Sequence, residues 1–478
     1  MANVKATDLI DFTRASKGHA LAKVSYGDEL VVNGGFDTDS NWTGGSNWSI
    51  AAGVAVSDGG SGLFQQTETT LDTSKVYLFQ FDITSYTSGS VKLYSGSGSD
   101  PVNYVSSVGT HSVVFTPLST TPSLYSNSFN GSIDNVSIKE IYVDNQNGTL
   151  QLFEHPNNIP RIEYDADGNL LGLLIEEART NNITNSESCS FVDESGGTVT
   201  ASTTPAPYGT SSSVKRVQSS TLNGGGRLQV TVLTGGDNYC SVYVRSRTGA
   251  DQNLKITASG TTGATQVAPA SGDWVRLGRV ASLGAGSRDI RVLSTGDTID
   301  LDIALPQVEA GSFPTSYIKT TGSTASRSAD VASIDVDQFG YNQNEGTITV
   351  TGRSYEPGLD NYFFEMAEDG ANRSFIKCAD FSHLLVTSSN SIQANISAGT
   401  ITANTEAKLA VAIEANNFGV SLDGGAVVTD TSGTPELNVS EFRVGSNRTG
   451  GEILNGHIKS LTYTPKRLSN AKLQELTS

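Results

Sequence analysis

Cysteine is scarce. Three residues in 478, Cys189, Cys240 and Cys378, lie far apart and form no C-x-x-C pair, which argues against a disulfide framework and a cysteine zinc site. They are expected to be free thiols. Basic residues are also short, 31 Lys and Arg against 49 Asp and Glu, so the formal charge is -18 and no basic cluster offsets it. A protein that tracks a nucleic-acid backbone needs a basic face, and none is expected here. Apolar runs such as Leu170 to Ile175 fall far short of the ~20 residues of a membrane span, so no membrane insertion is expected. The opening Met1-Ala-Asn-Val-Lys-Ala-Thr-Asp lacks a basic stretch followed by an apolar one, so no secretory leader is expected and synthesis in a cytoplasm is. The five histidines, His19, His111, His155, His383 and His457, stand singly without His-x-x-x-His or His-Glu-x-x-His spacing, which gives them little support as metal ligands.

What is abundant is glycine, 50 residues, with Ser and Thr in almost every block of ten. Short alternating segments dominate, among them Val76 to Ile83, Leu228 to Val232, Tyr239 to Val244 and Thr347 to Thr351, divided by Gly, Ser, Asn and Asp clusters. The spacing predicts an all-β chain of sandwiches. The clearest helix is the last segment, Leu468 to Leu476, where Ser469 serves as N-cap and Leu468 staples onto Leu473. Arg161 to Asp165, a turn at Ala166-Asp-Gly-Asn169, and Leu170 to Ile175 form a β-hairpin signal. Its second strand is apolar on both faces and needs cover from a neighbouring domain or from another copy of the chain.

Six segments follow from this reading: an N-terminal linker or anchor over residues 1–27, a β-unit over 28–143, the hairpin linker over 144–181, a second β-unit over 182–318, a linker over 319–334 and a third β-unit over 335–478. The closing strand of the first unit, Gly131 to Glu140, alternates imperfectly, with an irregularity expected at Asp134-Asn135. Trp274 reads as a core strand residue of the second unit.

Adjacent carboxylates, Asp165 with Asp167, Glu176 with Glu177 and Asp300 with Asp302, are the first places to seek glycan-cleaving chemistry, which needs an acid and a base across a cleft. Each pair sits beside a turn or at a strand end, where turn chemistry and solvation account for it. Gly96-Ser-Gly-Ser-Asp100 lacks the final glycine of a nucleophile elbow. No enzyme is expected. Sugar binding asks for exposed aromatic faces beside amide and carboxylate groups. Trp42, Trp48, Tyr86, Tyr94 and Tyr104 lie in or near expected loops of the first unit, and Tyr355, Tyr362, Phe363, Asn372 and Arg373 cluster in the third.

The stretch Glu29 to Glu140 resembles jelly-roll modules related to carbohydrate-binding domains. The likeness rests on Asn33, Phe36, Asp37, the nearby Trp42 and the last strand Ile133 to Ser137. The second unit resembles them more weakly, through Trp274 and its last strand Ile299 to Glu309. From about Thr347 onward, Phe418 to Gly425, Leu454 to Leu461 and Pro465 to Leu473 resemble a concanavalin A/laminin G-like sandwich, without the Glu-x-Asp-x-x-Glu pattern of its glycan-hydrolysing relatives. The connecting pieces Asp11 to Ser16, Pro160 to Asp165, Leu173 to Asn181, Pro306 to Ile318 and Thr321 to Asp330 resemble stretches of tailed-phage virion proteins. There the first two are usually close together. Here about 140 residues separate them, so the first jelly roll is expected to be an insertion.

The resemblance implies two jelly rolls and a lectin-like sandwich in a non-enzymatic virion appendage, a tail fibre or spike that presents lectin-like domains to host-surface glycan. Capsid decoration or a head fibre is the alternative, and a polysaccharide depolymerase comes last. It also implies a homotrimer, attachment to other virion proteins through the N-terminal region, and a distal C-terminal unit binding glycan through Tyr355, Tyr362, Asn372 and Arg373, with Trp42 and Trp48 as further candidates. A structural calcium held by Asp37 and Asp134 would tie first and last strands of the first jelly roll.

Overall fold

The computed structural model describes residues 10–94, 104–145, 147–210, 212–356, 361–378, 382–435 and 438–478. The chain is 54% strand and 4% helix, as glycine-punctuated alternation predicts. It divides into two compact units, Lys23–Thr149 and a larger one of Met1–Ala22 with Leu150–Ser478. Strands Gly18–Glu29 and Thr149–His155, neighbours in one sheet, carry the chain out of the larger unit and back.

The smaller unit is built on two long antiparallel strands, Tyr77–Tyr94 and Ser123–Val143, paired from Tyr77 with Glu140 to Tyr94 with Ser123. Register shifts at Gln80/Asp82, Ile83/Ser85, Tyr86/Ser88 and Ser88/Ser90 interrupt the ladder. Bulges bend and twist a strand pair, and residues from both ends of this pair, Phe79 and Ile138 at one and Leu93 and Leu124 at the other, share one core with Phe36, Trp48, Phe64 and Phe129. The irregularity expected at Asp134-Asn135 is present: Asn135 has φ +52°, a left-handed conformation that asparagine tolerates.

Within the larger unit, residues 183–308 form a jelly roll of two five-stranded sheets around a core of Val217, Val242, Ile256, Ile290 and Leu301. Trp274 is buried but not in that core. It packs with Leu152, Tyr243, Leu305 and Tyr317 in a separate cluster, whereas Leu277, on the strand it precedes, packs against the main core.

The C-terminal sandwich has two seven-stranded sheets. One takes its edge strand, Asp11–Thr13, from the other end of the chain, with Phe12 opposite Ala332. The second sheet is extended by the linker hairpin, Ile162–Tyr164 and Leu170–Ile175, whose Leu173 faces Ile458 on strand Gly456–Thr464. Phe12, Leu173 and Ile175 therefore lie in the core with Phe364, Val411 and Phe418. The apolar strand Leu170–Ile175 finds cover within its own chain, and the need for a second copy to cover it disappears. The terminal helix Asn470–Thr477 is capped by Ser469, whose hydroxyl accepts from the Lys472 amide at 3.3 Å, and Leu468 joins Leu473 against Ala410 and Ala412.

The connecting stretches converge on one buried ion network. Arg14 pairs with Asp330 at 3.2 Å, Arg161 with Glu176 at 2.9 Å and with Asp330, and Arg327 with Glu176 at 3.1 Å. All five side chains are essentially inaccessible. Glu176 also accepts from the amide and hydroxyl of Ser316, each at 2.7 Å, and Glu309 from Thr315 and Gln307. Three arginines thus share two carboxylates, while Glu309 pairs with Arg276 at 3.8 Å; mutual pairing is how buried charge is tolerated at all. Burial alone would raise the Glu176 carboxyl, but Arg327 and Arg161 hold it down at about 2.

Candidate functional site

An exposed aromatic face is the feature that sugar recognition needs, and the smaller unit carries one. Strands Gly62–Gln66, Ser123–Val143 and Tyr77–Tyr94 run side by side there. Phe64, Leu124 and Leu93 fall in register and point into the core. Alternation sends the next row, Leu63, Tyr125 and Lys92, to the opposite face. Tyr94 lies one row further on the same face, opposite Ser123. Tyr104 is brought in by a local bridge between Val105 and Val91, closed by amide-to-carbonyl bonds of 3.0 and 2.8 Å.

The three tyrosines form a cluster. The Tyr94 and Tyr125 ring centres are 6.1 Å apart at 35°, and Tyr104 meets Tyr125 edge-on at 6.5 Å. Tyr104 is 45% exposed and Leu63 37%. The ammonium of Lys92 lies 5.1 Å from the centre of the Tyr104 ring and 6.0 Å from that of Tyr94. Such a surface offers ring faces to the C–H side of a pyranose and phenol hydroxyls to its polar edge. Tyr94 and Tyr104 were legible as aromatics next to a glycine-rich loop. Tyr125 was not, since Ser-Leu-Tyr-Ser reads equally well with either face inward.

The residues singled out from sequence lie elsewhere. Trp48 is 8% exposed and Trp42 half-buried, and their indoles stack on Phe64 from 4.9 and 5.0 Å. Both are part of the packing of the first jelly roll, Trp48 within its core and Trp42 against it. In the C-terminal sandwich Tyr362 is 1% exposed and packs on Phe375 at 4.8 Å. Burial, then the Glu452 carboxylate, pushes its hydroxyl upward. Tyr355 is half-buried, stacks on Phe313 and meets His457 edge-on. Arg373 pairs with the inaccessible Glu365 at 3.2 Å and covers the Phe375 ring. Asn372 holds a turn, accepting from the Ser389 amide at 2.7 Å and donating to Glu368. Tyr362 and Arg373 sit at opposite ends of one strand pair, opposite Lys377 and Ala367 respectively. The four residues form no common surface. Nearness in sequence did not become nearness in space.

Asp37 is exposed beyond the buried Phe36. Asp134 stands across the ladder from Asp82, not from Asp37, and its carboxylate accepts from the Asn135 amide at 2.7 Å. Asp82 in turn accepts from Thr110 and Asn135. No group of three or more Asp, Glu, His or Cys side chains suited to a metal occurs among the described residues. Asp37 and Asp134 belong to no such cluster.

The carboxylate pairs are engaged by cations and turns. Glu176 belongs to the buried network, and Glu177 pairs with Arg179 at 2.7 Å. Arg216 grips Asp300 with two bonds of 2.7 Å, and Arg247 holds Asp302 at 2.8 Å. Asp165 closes the hairpin turn by accepting from Asp167 and Asn169. Hydrogen bonding to Arg216 lowers the Asp300 carboxyl, and Asp165 is also lowered, its turn bonds outweighing the effect of burial. The stretch Gly96 to Asp100 lies outside the described residues.

No family model matches the chain, and no curated protein does. Among solved structures it is similar to domain 4 of AbnA, a GH43 extracellular arabinanase from Geobacillus stearothermophilus in complex with arabinotriose, at 14% identity and a TM-score of 0.24, over 35% of this chain and 84% of that one. It is similar to the CBM22-1-CBM22-2 tandem of Paenibacillus barcinonensis Xyn10C at 12% identity and a TM-score of 0.23, over 60% of this chain and 96% of that one. A Trypanosoma rangeli sialidase in complex with 2,3-difluorosialic acid overlaps at 9% identity and a TM-score of 0.25, over 96% and 93%. Overlaps at this level leave the functional argument to the chain's own residues.

Proposed function

We propose that this chain is a non-enzymatic glycan-binding protein whose binding face is the Tyr94, Tyr104 and Tyr125 cluster of the smaller unit. The observation that carries the reading is the tyrosine cluster on the face of the sheet away from the core, with Tyr104 45% exposed and Tyr94 and Tyr125 half-buried beside it. A non-catalytic role is favoured by the carboxylates: a glycosidase needs one carboxyl raised to act as acid, whereas Asp165, Glu176 and Asp300 are all held low. Attachment to a host surface as part of a homotrimeric tailed-phage fibre or spike is the setting implied by the resemblance of the connecting stretches. The distal position expected for the C-terminal sandwich is withdrawn, because strand Asp11–Thr13 is built into it.

The test is affinity electrophoresis against a panel of bacterial and plant polysaccharides. Tyr104→Ala and Tyr125→Ala, each checked for an unchanged melting curve, should weaken retention about tenfold, equivalent to ~1.4 kcal/mol. Retention by the native chain that survives both substitutions would move the site elsewhere. Detection of the protein in purified virions checks the setting.

A further inference from the structure

We infer, on the reading that the tyrosine cluster is the binding face, that its ligand is an anionic saccharide and that Lys92 is the residue that selects it. Lys92 is 6% exposed, although its position in the ladder sends it to the solvent face. What covers it is aromatic: Tyr104 and Tyr94 stand within 6.0 Å of its ammonium. Lys17 meets Glu154, Lys75 Glu140, Lys319 Glu187 and Lys459 Glu406, and the side chains of these four lysines are 38–46% exposed. Lys92 makes no ion pair among the described residues, yet it is the more deeply buried.

A cation taken out of water without a counter-ion is costly, and ring faces return only part of what water supplied. An anionic oxygen arriving on the tyrosine surface would supply the rest. Among the described residues, Leu63, Ser123, Gln65 and the tyrosines that share this face carry no charge at neutral pH, so Lys92 supplies a cation among uncharged neighbours in a chain whose formal charge is -18. A sugar whose ring stacks on Tyr104 or Tyr125 and whose carboxylate points toward Lys92 satisfies both features. Lys92 then acts as a specificity residue beside an apolar platform, and the preference it creates should weaken with added salt.

The experiment uses the full chain and matched polymers: polygalacturonate, alginate, hyaluronan and polysialate, each beside its carboxyl-reduced form, with a phosphomannan to distinguish phosphate from carboxylate. At least one acidic polymer should retard the protein tenfold or more over its reduced partner, and Lys92→Gln should erase that preference while Lys92→Arg retains much of it. Melting curves establish that both variants fold. Equal retention by acidic and reduced forms overturns the inference and leaves glycan binding standing. An acid preference that survives Lys92→Gln overturns it too, by placing the selecting cation elsewhere. No retention by any polymer, acidic or reduced, counts against the binding face itself. Retention by phosphomannan alone identifies phosphate as the anion and keeps Lys92 as its partner.

Discussion

Arg161 donates to the Asp330 carboxylate, to the His19 carbonyl at 3.0 Å and to the Ser316 hydroxyl at 2.6 Å, and pairs with the Glu176 carboxylate at 2.9 Å. Its removal leaves Asp330 and Glu176 buried with one arginine apiece. Arg161→Ala should therefore cost about 3–5 kcal/mol, the range for breaking a buried pair by deleting one partner, measured as a shift of the denaturant midpoint at constant slope. His155 makes the same region acid-sensitive. It is fully buried, and burial, then Arg14 and Arg161, drive its pKa well below 6.5. The folded chain thus keeps the ring neutral while the unfolded chain protonates it below pH 6.5, so stability is lost as pH falls through that value, at up to ~1.4 kcal/mol per unit for this group. Glu176, lowered to about 2, withdraws its own contribution only below its ordinary 4.5. Melting temperature should fall between pH 7.5 and 5.5, and His155→Gln should flatten that slope; an unchanged slope would remove His155 from the account. These roles were invisible beforehand because an isolated Arg or His reads as a surface residue, and only the fold brings Arg14, Arg161 and Arg327 within reach of shared acids.

The linker hairpin depends on one close approach. Gly172 has φ +123°, and a Cβ there would lie 2.4 Å from the Ile458 carbonyl oxygen. Gly172→Ala meets both strain and collision, and a loss of at least ~1–3 kcal/mol is expected from the backbone term alone, read by thermal melting. The hairpin itself was readable from Asp-Gly and its flanking alternation, as were the terminal helix and the bulge at Asn135. Strand partners were not. Nothing in Asp11-Phe-Thr13 announces that its neighbour is Val331–Asp335, since three residues carry too little pattern to specify register at long range. The aromatic positions failed for a related reason: alternation says that two faces exist, but burial of Trp42, Trp48 and Tyr362 depends on which face the opposing layer covers.

Across the whole molecule, all-β sandwiches were predictable from composition and turn spacing, while the sharing of strands between distant segments was not. It changes which truncations are meaningful. Removing residues 335–478 takes away Gly456–Thr464, the partner of the hairpin, and Glu441–Val444, the partner of the strand on which Asp11–Thr13 lies, so that deletion should unfold the rest of the larger unit instead of sparing it. Replacing residues 23–149 by a two-residue Asn-Gly turn is the benign cut, since the strands that flank it are neighbours in one sheet. The shortened chain should keep a cooperative melt and β-type circular dichroism but lose retention on glycan; loss of cooperativity would mean that the smaller unit is needed for folding of the larger. The pairing of Arg14 with Asp330 spans 316 residues. During synthesis at ~5–20 residues per second, Arg14 emerges on the order of 15–60 seconds before Asp330 exists. For that interval Phe12 has no core to enter and must be kept from premature association, while the 23–149 sandwich can fold and draw the two ends of its flanking strands together, shortening the loop that the last-made strands must close.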